Sequence, residues 1–200
     1  MIRETTYDDV FDAQRHFRTV LDAMARPGKI NRLACVSLTP PPSLGRGAAC
    51  VAFALLNADV AYHLAGFGGE EVEYLRVNTS SRVASADAAD FLFLFGTGED
   101  APIRAAKVGA PAYPETSATA IIQVGQIGKS SATRGLQLTL QGPGVETHEI
   151  VFVTGLDASH LEALREKNAE FPLGVDAILV SADDCILCLP RTTKVEWNGI

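Results

Sequence analysis

The stretch Phe91-Leu92-Phe93-Leu94-Phe95 is an unbroken run of five apolar residues near the middle of the chain. A strand places successive side chains on opposite faces, so a run without polar residues suits a strand that is covered on both sides. It predicts an interior strand of a sheet with helices on its faces. The patterns on either side of it predict the remaining elements.

The first helix is expected at residues 8–26, where apolar residues recur with the spacing of one helical face. Thr6 with Asp9 resembles a capping box at its start, and the acidic residues there favour the positive end of the helix dipole. Pro27-Gly28 supplies the stop. One amphipathic helix therefore opens the chain.

The rest of the chain alternates between helical patterns and short β-branched runs. Residues 47–57 are apolar nearly all round and predict a buried helix, and further helices are expected at residues 70–78, 100–107 and 156–168. Strands are expected at residues 30–38, 60–64, 119–124, 136–141, 146–153, 175–180 and 185–189. This order predicts a single α/β domain over residues 1–200, with a mixed sheet, flanking helices and antiparallel hairpins toward the C-terminus.

Composition narrows the function classes. The chain has 200 residues with 17 Lys+Arg and 24 Asp+Glu, so its formal net charge is −7, which argues against nucleic-acid binding. The longest apolar stretch, residues 48–56, is too short for a membrane span. The polar, acidic N-terminus predicts a cytoplasmic protein, in which Cys35, Cys50, Cys185 and Cys188 should be free thiols.

Two glycine-rich loops resemble phosphate-binding motifs but depart from them. The loop at residues 125–130 has Gln123 where the phosphate-binding pattern requires its first glycine, so a flexible hairpin is favoured. The loop at residues 96–101 follows a strand, but Glu99 and Asp100 would repel a pyrophosphate. Capping of the next helix by these acids explains the loop better.

No metal site or catalytic motif emerges from the histidines and cysteines. Cys185 and Cys188 point to opposite faces of a strand, so one metal cannot easily bind both, and buried apolar cysteines are favoured. His16 is expected to pair with Asp12 across one helical turn, and His160 is expected on a solvated helix. We therefore assign neither catalytic residues nor metal ligands.

Arginines on the first helix and at turns are the remaining candidates for ligand binding. Arg18 and Arg26 lie on and at the end of the first helix, and Arg191 lies between Pro190 and Thr192-Thr193. A guanidinium beside two hydroxyls offers parallel donors that fit phosphate or phosphonate oxygens. The alternative for Arg191, an internal salt bridge to Asp176 or a carbonyl cap, carries more weight on sequence alone.

Four strings together resemble a known family, the H subunit of the bacterial carbon–phosphorus lyase system, called PhnH. Their order and spacing fit across nearly the whole chain. The strings are FRTVLDAMARPG at residues 17–28, LQGPGV at 140–145, FPLGVD at 171–176 and LPRTTKVE at 189–196.

This resemblance implies a fold similar to the type I pyridoxal-phosphate-dependent transferases, without the cofactor, and a homodimer. It implies a core complex with the G, I and J subunits. With the G, I and L proteins, the H subunit supports synthesis of α-D-ribose 1-methylphosphonate 5-triphosphate from MgATP and phosphonate. The nucleoside-cleaving chemistry is generally placed on the I subunit and the later radical cleavage of the carbon–phosphorus bond on the J subunit.

The lysines agree with the absence of pyridoxal phosphate, because a Schiff base needs a lysine in a dry pocket. Lys129, Lys167 and Lys194 lie in a loop, on an acidic helix and in the tail, whereas Lys29 and Lys107 stay open as candidates.

Three functional hypotheses follow. The first is a scaffold subunit, and the second adds a ligand site formed by Arg18, Arg26, Gly142, Gly144, Arg191, Thr192 and Thr193. The third, from another class, is an enzyme that acts alone on a nucleotide or phosphonate.

Overall fold

The computed structural model describes residues 4, 6–34, 37–130 and 135–199. Its helices are α1 (Phe11–Ala25), α2 (Arg46–Leu55), α3 (Gly69–Thr79), α4 (Ala101–Ala105) and α5 (Ala158–Lys167), with a short 3-10 helix at Pro114–Thr116. Its strands are β1 (Asn31–Arg32), β2 (Ala61–Leu64), β3 (Arg82–Val83), β4 (Phe91–Phe95), β5 (Thr119–Val124), β6 (Ile127–Gly128), β7 (Leu136–Gln141), β8 (Glu149–Val153), β9 (Asp176–Ser181), β10 (Cys185–Leu189) and β11 (Lys194–Gly199).

Seven strands form a mixed sheet in the order β1-β10-β9-β5-β4-β2-β3. The pairs from β9 through β5, β4 and β2 to β3 are parallel, and β10 runs antiparallel to β9 and to β1. The predicted interior strand, β4, lies between β5 and β2. The predicted mixed sheet is therefore confirmed, as is the hairpin of β9 and β10.

The two faces of this sheet are covered by different layers. Phe93 of β4 joins a core cluster with α1, α2 and α3, while Leu92 and Leu94 join a second cluster on the other face. That second cluster also contains buried residues of α4, α5, β7 and β8. Alternation along the apolar run thus covers both faces, as the sequence predicts.

A second sheet, which the sequence analysis does not foresee, has four antiparallel strands in the order β11-β7-β8-β6. The loop predicted as a flexible hairpin contains β6, which pairs with β8. The expectation that Lys194 lies in a tail is wrong, because it is the first residue of β11, which pairs with β7 over six residues.

The ends of several predicted elements are also different. Asp8, rather than a Thr6–Asp9 capping box, accepts hydrogen bonds from the first backbone N–H groups of α1, at 2.9 Å from Val10 and 2.8 Å from Phe11. The strand predicted at residues 30–38 is limited to β1 among the described residues, and Cys35 lies outside them.

Candidate functional site

The strings that carry the family resemblance meet in space. A Cβ added to Gly144 would lie 2.3 Å from the carbonyl oxygen of Ala25 at the end of α1, and one added to Gly142 would lie 2.8 Å from that of Thr192. Both glycines have positive φ angles, +82° and +140°, that other residues rarely adopt. The Gly142–Gly144 turn is therefore wedged between the end of α1 and the β10–β11 loop, and we call this contact the motif junction.

Arg191, in the β10–β11 loop that borders the junction, is held by a complete set of acceptors. Its Nε and one terminal nitrogen donate to the Asp176 carboxylate at 3.2 and 2.6 Å, and that nitrogen also donates to Ser117. The other terminal nitrogen donates to the carbonyls of Pro114 and Pro172 at 3.0 and 3.4 Å. The side chain is only 14% exposed. The internal salt bridge to Asp176 and the carbonyl cap are thus both present, and together with the Ser117 hydroxyl they use all five N–H donors.

A cleft of about 630 Å³ opens beside the junction, between α5 and the β10–β11 connection. It is mostly apolar, with exposed Phe171 at its rim and Arg165 stacked over Trp197 at 5.0 Å from the ring centroid. Thr193 lines it, and the buried Oγ1 of this residue has no hydrogen-bond partner among the described residues. A buried hydroxyl without a partner is costly, which makes it a candidate contact for a bound molecule.

The other predicted arginines lie away from this cleft. Arg26 forms an ion pair with Asp22. Arg18 lines a separate groove of about 580 Å³ between α1 and β1. The structure therefore does not bring the three predicted arginines to one pocket, and a shared grip on a single anion stays an untested prediction.

The apolar pattern of α1 has a role that the sequence analysis misses. The buried residues of the helix are Asp12, His16, Val20 and Ala23, so the core-facing side carries polar residues. The large apolar residues Val10, Phe11, Phe17 and Leu21 are 48 to 71% exposed. A signal was present in the sequence, since the apolar residues of residues 8–26 are too many for a single stripe. Val10, Phe17 and Leu21 fall on one side of the helix by its 3.6-residue period, and we call these three residues the outer apolar face of α1. Phe11 lies about a quarter of a turn away and lines the groove with Arg15 and Arg18.

Two expectations about histidines are wrong. The His16 ring contacts the Tyr7 hydroxyl and the Ala34 carbonyl, both at 3.2 Å, while Asp12 pairs with Arg15. His160 is fully buried rather than solvated. Burial lowers the pKa of both imidazoles, because the charged form loses its hydration.

The cysteines follow the alternation of β10. Cys188 is buried, its thiol pointing toward the Val20 carbonyl, whereas Cys185 is partly exposed beside Asp183. Burial raises the pKa of both thiols, and the neighbouring Asp183 carboxylate adds to this effect at Cys185. None of Cys50, Cys185 and Cys188 forms a disulfide, and the described residues contain no group of three or more His, Cys, Asp or Glu side chains able to hold a metal.

The two glycine-rich loops have structural contacts. In the first loop, Lys129 pairs with Glu149. The Thr154 side chain packs on Gly125, and the Gly125 N–H donates to the Thr154 carbonyl. In the second, the Asp100 carboxylate accepts from Arg104 at 2.9 Å and does not cap α4, which corrects the capping expectation. Within the described ranges, no helix is both long and apolar enough to cross a bilayer.

Comparisons with known proteins agree with the resemblance seen in the four strings. Residues 5–196 match the family model described as bacterial phosphonate metabolism protein (PhnH). A protein of Rhizobium meliloti (strain 1021) named alpha-D-ribose 1-methylphosphonate 5-triphosphate synthase subunit PhnH is 31% identical over 192 residues, covering 94% of this chain and 92% of the relative. A putative C-P lyase subunit protein HtxG of Stutzerimonas stutzeri is 31% identical over 192 residues, covering 93% and 87%.

Proposed function

This chain belongs to the PhnH family of bacterial phosphonate metabolism proteins, and from this membership we propose that it is a subunit of a carbon–phosphorus lyase complex. Within it, the chain serves the synthesis of α-D-ribose 1-methylphosphonate 5-triphosphate, the activity named for its relative. The match over residues 5–196 carries this proposal. An enzyme acting alone is not favoured.

The outer apolar face of α1 supports a role in assembly. Three of the large apolar side chains that the described residues leave exposed, Val10, Phe17 and Leu21, lie on this one side of α1 and its N-cap. Exposed apolar surface concentrated in one patch is typical of a protein–protein interface. We assign this face to another subunit of the complex.

The identity of the partners is carried over from the family. The proposed partners are the G, I and J subunits, with a functional link to the L protein, and a second copy of this chain in a homodimer. MgATP is the substrate of the complex. A cytoplasmic location completes the proposal.

The family also suggests a pyridoxal-phosphate transferase-like fold without the cofactor. The two lysines left open by the sequence are both in ion pairs, Lys29 with Asp22 at 2.7 Å and Lys107 with Asp90 at 2.5 Å. A Schiff-base lysine must act as a free amine, and a carboxylate partner stabilises the ammonium instead. These contacts support a subunit that does not use either lysine to bind pyridoxal phosphate.

A ligand site in the cleft is a second candidate contribution. Gly142, Gly144, Arg191 and Thr192 form its supporting junction, and the unpaired Oγ1 of Thr193 is the observation that favours it. Thr193→Val should leave stability unchanged, since no hydrogen bond is lost, but should weaken substrate use by the complex. Thr193→Ser, which keeps the hydroxyl, should support normal substrate use by the complex. Normal turnover with Thr193→Val would remove the cleft from the proposal.

The assembly role is tested by reconstitution with the partner subunits. The isolated chain with MgATP and methylphosphonate should release no adenine, and release should begin when the partners are added. Replacing Phe17 and Leu21 by Ser should abolish co-purification without unfolding the chain, because both side chains are exposed. Val83→Ser, at an apolar residue that is 50% exposed on β3, is the matched control.

Two results would contradict these assignments. Steady adenine release by the isolated chain would identify it as an enzyme in its own right. If the double variant converts a dimer into a monomer and still binds the partner subunits, the outer face of α1 joins two copies of this chain instead.

A further inference from the structure

Four cationic side chains line the groove between α1 and β1. Arg15 and Arg18 lie one turn apart on α1, Lys29 lies in the turn that follows the helix, and Arg32 lies on β1. We propose that this groove binds the oligophosphate chain of a phosphate ester. The assignment goes beyond the proposed function by giving this subunit a phosphate site, and it rests on that function only for the source of the ligand.

The charge of the groove contrasts with that of the whole chain. Four cations line it, and Asp22 is the single carboxylate among the described residues that do so. The chain as a whole has a net charge of −7. A local excess of positive charge on an acidic protein attracts small anions while the remaining surface repels long polyanions.

The carboxylates nearby already have partners. Asp22 accepts from Lys29 at 2.7 Å and from Asn31 at 2.6 Å, and it also pairs with Arg26.

Arg18 has no ion pair or hydrogen bond among the described residues and is exposed. Its guanidinium is therefore free to form the paired, parallel hydrogen bonds that phosphate oxygens accept.

The other cations can also turn toward an anion. Arg15 is paired with Asp12 at 3.3 Å and Arg32 with Asp183 at 3.3 Å, and both guanidinium side chains are more than half exposed. The Arg32–Asp183 pair is exposed on both sides and contributes little to stability, so a phosphate can replace Asp183 there. Asp12 is mostly buried and also accepts from the Asp8 N–H at 3.1 Å, so Arg15 can contact a phosphate while it stays close to Asp12. Arg191 differs in that all its donors are used inside the protein.

The shape favours a small molecule over an acidic segment of a partner protein. The volume of about 580 Å³ lies within the range of small-molecule sites, and the cations reach it from two sides. Phe11 is the single large apolar side chain among the described lining residues, which leaves few anchors for a peptide.

The test is isothermal titration calorimetry of the isolated full-length chain with tripolyphosphate, ATP and methylphosphonate at low salt. No partner subunit is present, so failure of this inference leaves the assembly proposal untouched. Arg18→Ala should weaken tripolyphosphate binding about tenfold or more, and Arg18→Lys by a smaller factor, because lysine keeps the charge but loses the fork. Arg82→Ala, at an exposed arginine of β3 on the opposite edge of the sheet, should change nothing.

The ligands distinguish the sources of the phosphate chain. Equal binding of tripolyphosphate and ATP supports recognition of the phosphates alone, and tighter binding of ATP supports a nucleotide as the source. The proposal is overturned if tripolyphosphate does not bind at millimolar concentration, if methylphosphonate alone binds through Arg18, or if Arg82→Ala has the same effect as Arg18→Ala. Equally tight, Arg18-dependent binding of a hexaglutamate peptide would also overturn it, in favour of an acidic partner segment.

Discussion

Arg191 and Arg18 are candidates for the same task on sequence grounds, yet the structure gives them opposite surroundings. Arg191 lies in the loop that borders the motif junction, where a carboxylate, two carbonyls and a hydroxyl accept all of its side-chain hydrogen bonds. Arg18 lies on the outer side of α1 with no partner among the described residues. The hydrogen bonds of Arg191 therefore stabilise the fold, whereas the guanidinium of Arg18 is available to bind another molecule.

The physical difference lies in what surrounds each charge. A mostly buried guanidinium must be fully hydrogen-bonded, since an unpaired buried charge is strongly destabilising. An exposed one is hydrated by water and can exchange that water for an anion. The comparison predicts effects on stability at the junction and effects on binding at α1.

The largest expected effect is that of Arg191→Ala. It leaves Asp176 without its cationic partner and should lower the free energy of unfolding by about 3–5 kcal/mol, measured by urea denaturation. The free energy of unfolding of Arg191→Lys should lie between those of Arg191→Ala and the parent protein, because one ammonium group cannot reach all the acceptors that the guanidinium binds.

Arg18→Ala is the matched control and should change the free energy of unfolding by no more than about 0.5 kcal/mol. If Arg191→Ala is equally harmless and abolishes turnover of the assembled complex, the division between the two arginines is wrong and Arg191 grips ligand. Normal assembly and turnover with Arg191→Ala would exclude the ligand role.

A smaller effect is expected where the Gly142–Gly144 turn meets the end of α1. Gly144→Ala forces a residue with φ of +82° to carry a Cβ that would lie 2.3 Å from the Ala25 carbonyl oxygen. It should lower the free energy of unfolding by about 1–3 kcal/mol, measured by thermal and urea denaturation.

Gly69→Ala is the control for that substitution. A Cβ at Gly69 meets nothing within 4 Å, and the residue begins α3, so stability should be unchanged or slightly higher. Equal behaviour of the two variants would show that the junction is loosely packed.

The smallest effect is a dependence on pH that both regions should share. His16 lies on the buried side of α1 and His160 on the buried side of α5, and burial lowers the pKa of each below the ordinary 6.5. Because the unfolded chain binds more protons just below pH 6.5, stability should fall as the pH drops through that window, by at most about 1.4 kcal/mol per pH unit for each histidine.

His160→Gln should reduce this slope, measured as the free energy of unfolding at several pH values. An unchanged slope in both His16→Gln and His160→Gln would contradict the role of burial.

Strong local patterns predicted much of the fold. β5, β7 and β10 occupy the predicted residues, and α2 and β4 lie where their apolar composition placed them. β11 was missed although Lys194–Asn198 alternate between polar and apolar residues, the pattern of a half-exposed strand, and its pairing with β7 is a long-range contact that local sequence does not show. The periodicity of apolar residues also could not show that there are two sheets, because it does not specify which strands pair with each other.

The sequence named candidate ligand residues, whose role stays a prediction, and it did not show how they are arranged. The strings at residues 140–145 and 189–196 do meet at the motif junction, as a shared role suggested. The orientation of α1 was not predicted, because the helix has apolar residues on two sides and the core covers the side with Ala23 and His16. Which side is covered depends on α2 and β10, not on α1 itself.

By itself the sequence determined the family, the mixed α/β class and the interior strand, because these rest on residue order and on the two-residue and 3.6-residue periods of local structure. Only the tertiary structure decided that Arg191 is enclosed and Arg18 is open. The reason is that a side chain's hydrogen-bond partners come from segments far away in the chain, as Asp176, Ser117 and Pro114 do for Arg191.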